Sequence, residues 1–325
     1  MNRTPFRLHP YPSSFQHMSY EFLPPFNFLG LPPEHSDRDA SKVLILPVPY
    51  ELTTSYGQGT RNGPRALLHA SQQVELYDRE FKAEPALAWG VHTLPSLAPN
   101  YHSPEAAHAE IAQAVADHAS NDQLLCVLGG EHSISGAVAK GLHDVFSDFV
   151  TVQLDAHADL RAEYEGTPFS HASAMRRVID NGGGPVLQLG IRSLSVDEAE
   201  FIRNTPEQVT TFFAEDVHQQ LHRQYVAEFV RGKQVFLTID IDCLDAALMP
   251  ATGTPEPDGL SWNEVLDIVR VVANNAGRVV AFDVMELAPI AGMQAPDYLA
   301  AKLTYKVMTL IMQRRQAQPV QGVRM

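Results

Sequence analysis

Cysteine is almost missing from this 325-residue chain. Only Cys126, inside LLCVLGG, and Cys243, inside DIDCLD, occur, so a disulfide framework is excluded and a reducing compartment fits. No run reaches 18 apolar residues, which excludes the usual membrane-spanning helix. The N-terminal MNRTPFRLHPYPSSF lacks the apolar core of a signal peptide. The first 20 residues also lack acids, as transit peptides do, but their prolines oppose the amphipathic helix such peptides need. A soluble, cytoplasmic protein is the expectation. Positive charge is scarce as well: 24 Lys and Arg face 38 Asp and Glu, a formal net charge of −14. That balance repels phosphate backbones and anionic lipid, which argues against nucleic-acid and membrane partners. It favours cationic small molecules, although acidity of this size also serves plain solubility.

Low-complexity linkers and internal repeats are absent too, and the economical reading is one domain over residues 41–325. Residues 1–40, rich in proline and aromatics, are expected to form an arm on that domain or on a neighbouring subunit. Within the domain, short apolar runs alternate with helix-like segments. The runs are KVLILPV (42–48), LLCVLGG (124–130), FVTVQLD (149–155), PVLQLGI (185–191), QVTTFF (208–213), QVFLTID (234–240) and RVVAFDV (278–284). Near-continuous hydrophobicity marks strands buried on both faces, hence an α/β protein with a parallel sheet between helices. Ser103-Pro104-Glu105 opens one helix, Ser261-Trp262-Asn263-Glu264 is a capping box before another, and a last helix is expected over 297–314.

Ligands of open α/β sheets bind beyond the carboxyl ends of the strands. Four runs end there in reactive groups: Gly129-Gly130-Glu131-His132-Ser133, Asp155-Ala156-His157-Ala158-Asp159, Asp240-Ile241-Asp242 and Met285-Glu286. An extended segment of period two would point Asp155, His157 and Asp159 to one side, and Asp240 and Asp242 likewise. Bare carboxylates so crowded would repel one another, whereas divalent cations among them make the cluster favourable. His132, Asp155, His157, Asp159, Asp240 and Asp242 are too many hard ligands for one tetrahedral zinc and suit two Mn²⁺, with carboxylates shared. Ni²⁺ and Co²⁺ accept the same ligands. Singly, an Asp at a strand end is a turn former or helix cap, and it is the conjunction that argues for metal. Asp245 reads as a turn residue. GQGTRNGP (57–64) lacks the Lys-Ser/Thr ending of a phosphate loop and reads as a rim loop or turn.

In order, GGEHS, DAHAD, DIDCLD, ATGTPEPDGL and MELAP resemble the successive motifs of the ureohydrolases, the arginases and agmatinases. SKVLILPVPYELTTSYGQGTRNGPRAL is similar to the N-terminal region of the agmatinase branch. The resemblance spans roughly residues 28–315. It implies a three-layer α/β/α fold around a mainly parallel eight-stranded sheet, assembled as trimers or hexamers. It also implies one Mn²⁺ on His132, Asp155, Asp159 and Asp240 and another on Asp155, His157, Asp240 and Asp242. His171 in FSHASAM matches the family's proton-shuttling histidine, Glu286 the carboxylate that pairs with the substrate guanidinium, and Thr254 a substrate-side hydroxyl. Glu131, Ala158 and Ala288 depart from the Asp, Thr and Asn or Ser usual at their positions, and none is a ligand position.

The reaction so implied is hydrolysis of a guanidinium to urea and an amine, with Asp159 and His171 moving protons. Glu163 and Glu165, in the loop after the metal motif, suit an ammonium or apolar tail better than a carboxylate, with Arg161 against that pattern. Agmatine is the expected substrate, N1-aminopropylagmatine or a guanidino or formimino acid the alternatives, and a non-catalytic regulator of the same fold the reading outside enzymes.

Overall fold

The computed structural model describes residues 25–98 and 100–317, so most of the expected N-terminal arm lies outside the described residues. Eight strands form one sheet: β1 (Val43–Val48), β2 (Val91–Thr93), β3 (Leu124–Gly129), β4 (Val150–Leu154), β5 (Val186–Ile191), β6 (Val209–Phe213), β7 (Gln234–Asp240) and β8 (Arg278–Met285). Their order is β2-β1-β3-β8-β7-β4-β5-β6, and every pairing is parallel. The seven apolar runs are seven of these strands. The eighth, β2, is three residues, VHT, at the sheet edge, too short and too polar to carry a pattern.

Period-two alternation divides each inner strand between two cores. Val43, Ile45, Leu124, Cys126 and Leu128 pack on one face with helices Gly63–Ser71, Trp262–Asn275 and Ala295–Ala317. Leu44, Leu46, Leu125 and Val127 pack on the other with Pro104–His118, Ile134–Val145 and Ala174–Asp180. Both faces are covered, the condition under which parallel strands stay apolar throughout. Ser103 caps its helix by accepting from the Ala106 N–H at 3.2 Å. The capping box at Ser261 and Glu264 forms, and the last helix starts two residues before the expected boundary and ends three after it. Phe28, Leu29 and Leu31 are buried in the first core, so this part of the segment before residue 41 packs on the domain itself.

Register decides where the chemistry sits. Leu128 pairs with Val284, Ile239 with Val284 and with Leu154. The four central neighbours β3, β8, β7 and β4 therefore end level, and all four reactive motifs leave the sheet at one place.

Candidate dinuclear metal site

The six ligand candidates converge, but turns rather than strand alternation bring them together. After β4 the chain bends at Ala156, and Asp159 takes a left-handed backbone with φ of 52°. After β7 it enters the short 3₁₀ turn Ile241–Cys243, where Asp240 Oδ1 accepts the Asp242 N–H at 2.9 Å. Glu286, just past β8, is also left-handed, with φ of 66°. For non-glycine residues this is a strained conformation that has to be held by its surroundings.

His132 is the centre of one group. Its Nδ1 lies 3.0 Å from Asp155 Oδ2, 3.0 Å from Asp159 Oδ2 and 3.3 Å from Asp240 Oδ2, yet it makes no properly angled hydrogen bond. Nε2 meets the Thr238 hydroxyl at 3.0 Å. Thr238 is backed by Ser135, whose hydroxyl donates to Asp283 Oδ2 at 2.7 Å. A buried imidazole nitrogen facing three carboxylate oxygens with no hydrogen bond is the arrangement a ligand set has around a cation. His157 forms a second group, with Nδ1 3.0 Å from Asp242 Oδ2 and 3.8 Å from Asp155 Oδ1. The two oxygens of Asp155 thus face different groups, as a shared carboxylate would. His132, Asp155 and Asp240, and separately Asp155, His157 and Asp242, could each hold a metal ion.

Electrostatics point the same way. Burial foremost, then Asp242 and Asp159, push the Asp155 carboxyl up to about 7. Burial with Asp242 and Asp155 holds Asp240 well above the usual range. Burial disfavours charge on both histidines, but surrounding carboxylates outweigh it, lifting His132 far above and His157 to about 11. Asp242 is opposed by burial and still drawn down to about 2 by His157 and the Ala156 N–H. A cluster that draws in protons so strongly is one that divalent cations satisfy.

Two polar lines that sequence reasoning missed, buried except at Thr211, hold these ligands. Gln153 donates to Asp155 Oδ2 at 2.7 Å, Gln188 donates to Gln153 Oε1 at 2.6 Å, and Thr211 to Gln188 Oε1 at 2.8 Å. The three are direct register partners across β4, β5 and β6. The other line is Thr238, Ser135 and Asp283 behind His132. Their signal in the sequence was a polar residue, Gln153, Gln188, Thr238 or Asp283, set among the apolar residues of a strand, a feature that costs free energy unless partnered.

A cavity of about 220 Å³ opens over the groups. His132, His157, Asp159, Asp240, Asp242, His171, Thr254 and Glu286 all line it. Asp155 lies beneath, fully buried. Glu286 Oε1 accepts the His132 backbone N–H at 2.6 Å, and burial, then Glu131, raise its carboxyl well above the usual range. Oε2 lies beside Gly253, where an added Cβ would come within 3.6 Å. Thr252 contributes a buried hydroxyl without a partner among the described residues, a group the sequence reading passed over. Thr54, Ser55 and Tyr56 also form wall, and of the expected rim loop 57–64 only Gly57 lines the cavity.

Glu163 and Glu165 do not line the cavity. Both are exposed on the outer side of their loop. The same loop turns Arg161 and Tyr164 inward instead, the guanidinium 5.0 Å over the phenol ring. Alternation within the turn, with Tyr164 and Thr167 bonded to each other, is the reason. Asp245 accepts from the Ala247 and Gly259 N–H groups and shapes a turn, as its sequence context suggested.

Three comparisons bear on this site. The profile described as arginase family matches residues 41–310. An N(1)-aminopropylagmatine ureohydrolase of Synechocystis is 37% identical over 273 residues, 82% of this chain and 88% of that protein. An agmatinase of Bacillus cereus is 34% identical, covering 79% and 87%. Among solved structures, agmatine ureohydrolase of Thermoplasma volcanium superposes with a TM-score of 0.77 at 28% identity, over 86% of this chain and 93% of that one.

Proposed function

Since the chain belongs to the arginase family, we propose that it is a dinuclear-metal ureohydrolase that cleaves the guanidinium of a linear alkylamine, agmatine first, to urea and the free amine. The observation that carries this is the double metal-ligand arrangement around Asp155, beside a buried carboxylate facing the same cavity. His132, Asp155, Asp159 and Asp240 would hold one cation and Asp155, His157, Asp240 and Asp242 the other, with Mn²⁺ the expected metal ahead of Ni²⁺ or Co²⁺. When bound, the pair supplies Lewis acidity and a water of lowered pKa.

The remaining work falls to this chain's side chains. Glu286 orients the guanidinium by a charge-assisted pair while its other oxygen stays anchored on the His132 N–H. Thr254 offers a hydroxyl to the substrate. Asp159, at the cavity wall, accepts a proton from the attacking water, and His171 delivers one to the departing amine nitrogen. Beyond the guanidinium, residues 54–57, Tyr164 and Ser193 give a neutral polar wall to a slender tail, and the charged lining residues Arg161 and Glu198 face each other at 3.8 Å. A second reading, N1-aminopropylagmatine, is favoured by the 37% and 34% identity to ureohydrolases of that name. We further propose a cytoplasmic homo-oligomer, trimer or hexamer. The two buried free thiols suit a reducing compartment, and sedimentation velocity reads the assembly.

Urea release by the Mn²⁺-loaded protein tests the reading, with agmatine, N1-aminopropylagmatine, arginine, guanidinobutyrate and guanidine as the panel. Preference for either alkylamine supports it. Preference for an acid-tailed compound removes the tail assignment, and no release from a protein holding two metals removes the activity.

A further inference from the structure

Glu131 is fully buried and belongs to neither metal group. Its carboxylate is an acceptor at all four of its contacts. Oε2 takes the backbone N–H groups of Leu52 at 2.6 Å and Thr53 at 2.7 Å. Oε1 takes the hydroxyls of Thr53 at 2.8 Å and Ser133 at 2.6 Å. The single hydrogen of the Thr53 hydroxyl is therefore committed, and its oxygen can only accept from its other neighbours. Those neighbours are the backbone N–H of His171 at 3.0 Å and the ring Nδ1 of His171 at 3.3 Å.

An acceptor opposite Nδ1 requires the ring hydrogen on Nδ1. We propose that Glu131, acting through Thr53, is a positioning residue that keeps the proton of neutral His171 on Nδ1, leaving Nε2 as the nitrogen that exchanges protons in the cavity. A neutral imidazole has one donor and one lone pair, so a histidine that moves protons is useful only when the correct nitrogen is left open. The Tyr164 ring meets His171 edge to face at 6.0 Å between centroids, which limits rotation of the imidazole about its long axis. Glu131 repeats the device on its other hydroxyl. Ser133, likewise committed to Glu131, stands 3.3 Å from Nε2 of buried His108. The competing neighbour of His171 Nδ1 is the Ser170 hydroxyl at 3.4 Å, which would reverse the tautomer if it donated.

The kinetic part rests on the role proposed for His171, whereas the tautomer does not, and the experiment separates them. Neutron diffraction from the perdeuterated, metal-loaded protein should show deuterium on His171 Nδ1 and on the Thr53 hydroxyl toward Glu131. Deuterium on Nε2 with Nδ1 bare overturns the proposal, whatever substrate the protein takes. In turnover, Thr53→Val should lower kcat by about 10–100-fold with KM and metal content unchanged, Thr53→Ser should restore it, and Ser170→Ala should match wild type. Wild-type kcat in Thr53→Val, or the loss appearing in Ser170→Ala instead, overturns it as well. A wild-type protein that releases no urea would remove the functional reading and leave the neutron result standing.

Discussion

Glu286→Gln separates substrate anchoring from metal binding. The glutamine carbonyl can keep the bond from the His132 N–H that Oε1 now accepts at 2.6 Å, and the Glu286 N–H still reaches Gly130 O at 2.8 Å, so the strained backbone keeps its supports. What changes is the outward atom: an amide N–H₂ replaces Oε2 and faces guanidinium N–H groups, donor against donor. Losing one partner of a buried charge pair costs about 2–5 kcal/mol. At about 1.4 kcal/mol per decade, kcat/KM should fall by roughly 30-fold to 4,000-fold. Glu286 also has a raised pKa, because burial disfavours its charged form. Guanidinium binding needs the carboxylate, so kcat/KM should rise with pH through that ionisation in wild type, and this limb should vanish in Glu286→Gln. The assay is urea release beside metal content by mass spectrometry. A variant with both metals and kcat/KM within about threefold of wild type would refute the role of Glu286, and one that lost metal would show that it supports the ligands instead.

Asp242 belongs to the His157 group alone among the two metal clusters, so Asp242→Asn should lower bound metal by about one equivalent per chain and activity with it; two equivalents and full turnover would refute the dinuclear assignment. In Gly253→Ala the new methyl would lie 3.6 Å from Glu286 Oε2 and 3.3 Å from Gly57 O, on the approach a guanidinium needs. Steady-state kinetics should show kcat/KM lower by on the order of 10–100-fold with metal content unchanged, and wild-type values would refute this placement of the substrate. His108 is buried, which depresses its pKa from 6.5 to about 4. The unfolded chain binds that proton first, so the contribution is present above pH 6.5 and is lost as pH falls toward 4, roughly 3 kcal/mol in all. Urea denaturation between pH 7 and about 4 should therefore show His108→Gln losing less stability than wild type, and parallel curves would refute it.

Much of this protein was legible in its sequence because the governing signals are local. Burial on both faces writes an inner parallel strand as a near-continuous apolar run, and six of the eight strands carried that mark, whereas edge strand β6 is half-exposed with two threonines and three-residue β2 had no room for a pattern. The level strand ends turned a list of acids and histidines into one candidate site, since chemistry in such sheets sits past the carboxyl edge. The order β3-β8-β7-β4, which makes the four motifs neighbours, is set by packing between segments far apart in the chain, and no local pattern encodes it. The turns at Asp159 and Asp242 aim their carboxylates by backbone dihedrals that the motif letters do not show. Glu163 and Glu165 were read as substrate contacts from charge alone, and the fold turned Arg161 and Tyr164 to the cavity in their place. Residue types and their order determined which groups were available to bind metal and carry protons. Only the tertiary structure decided which of them meet, which oxygen of Asp155 faces which group, and that Glu131 reaches His171 through Thr53, because each is a contact between residues that sequence distance does not relate.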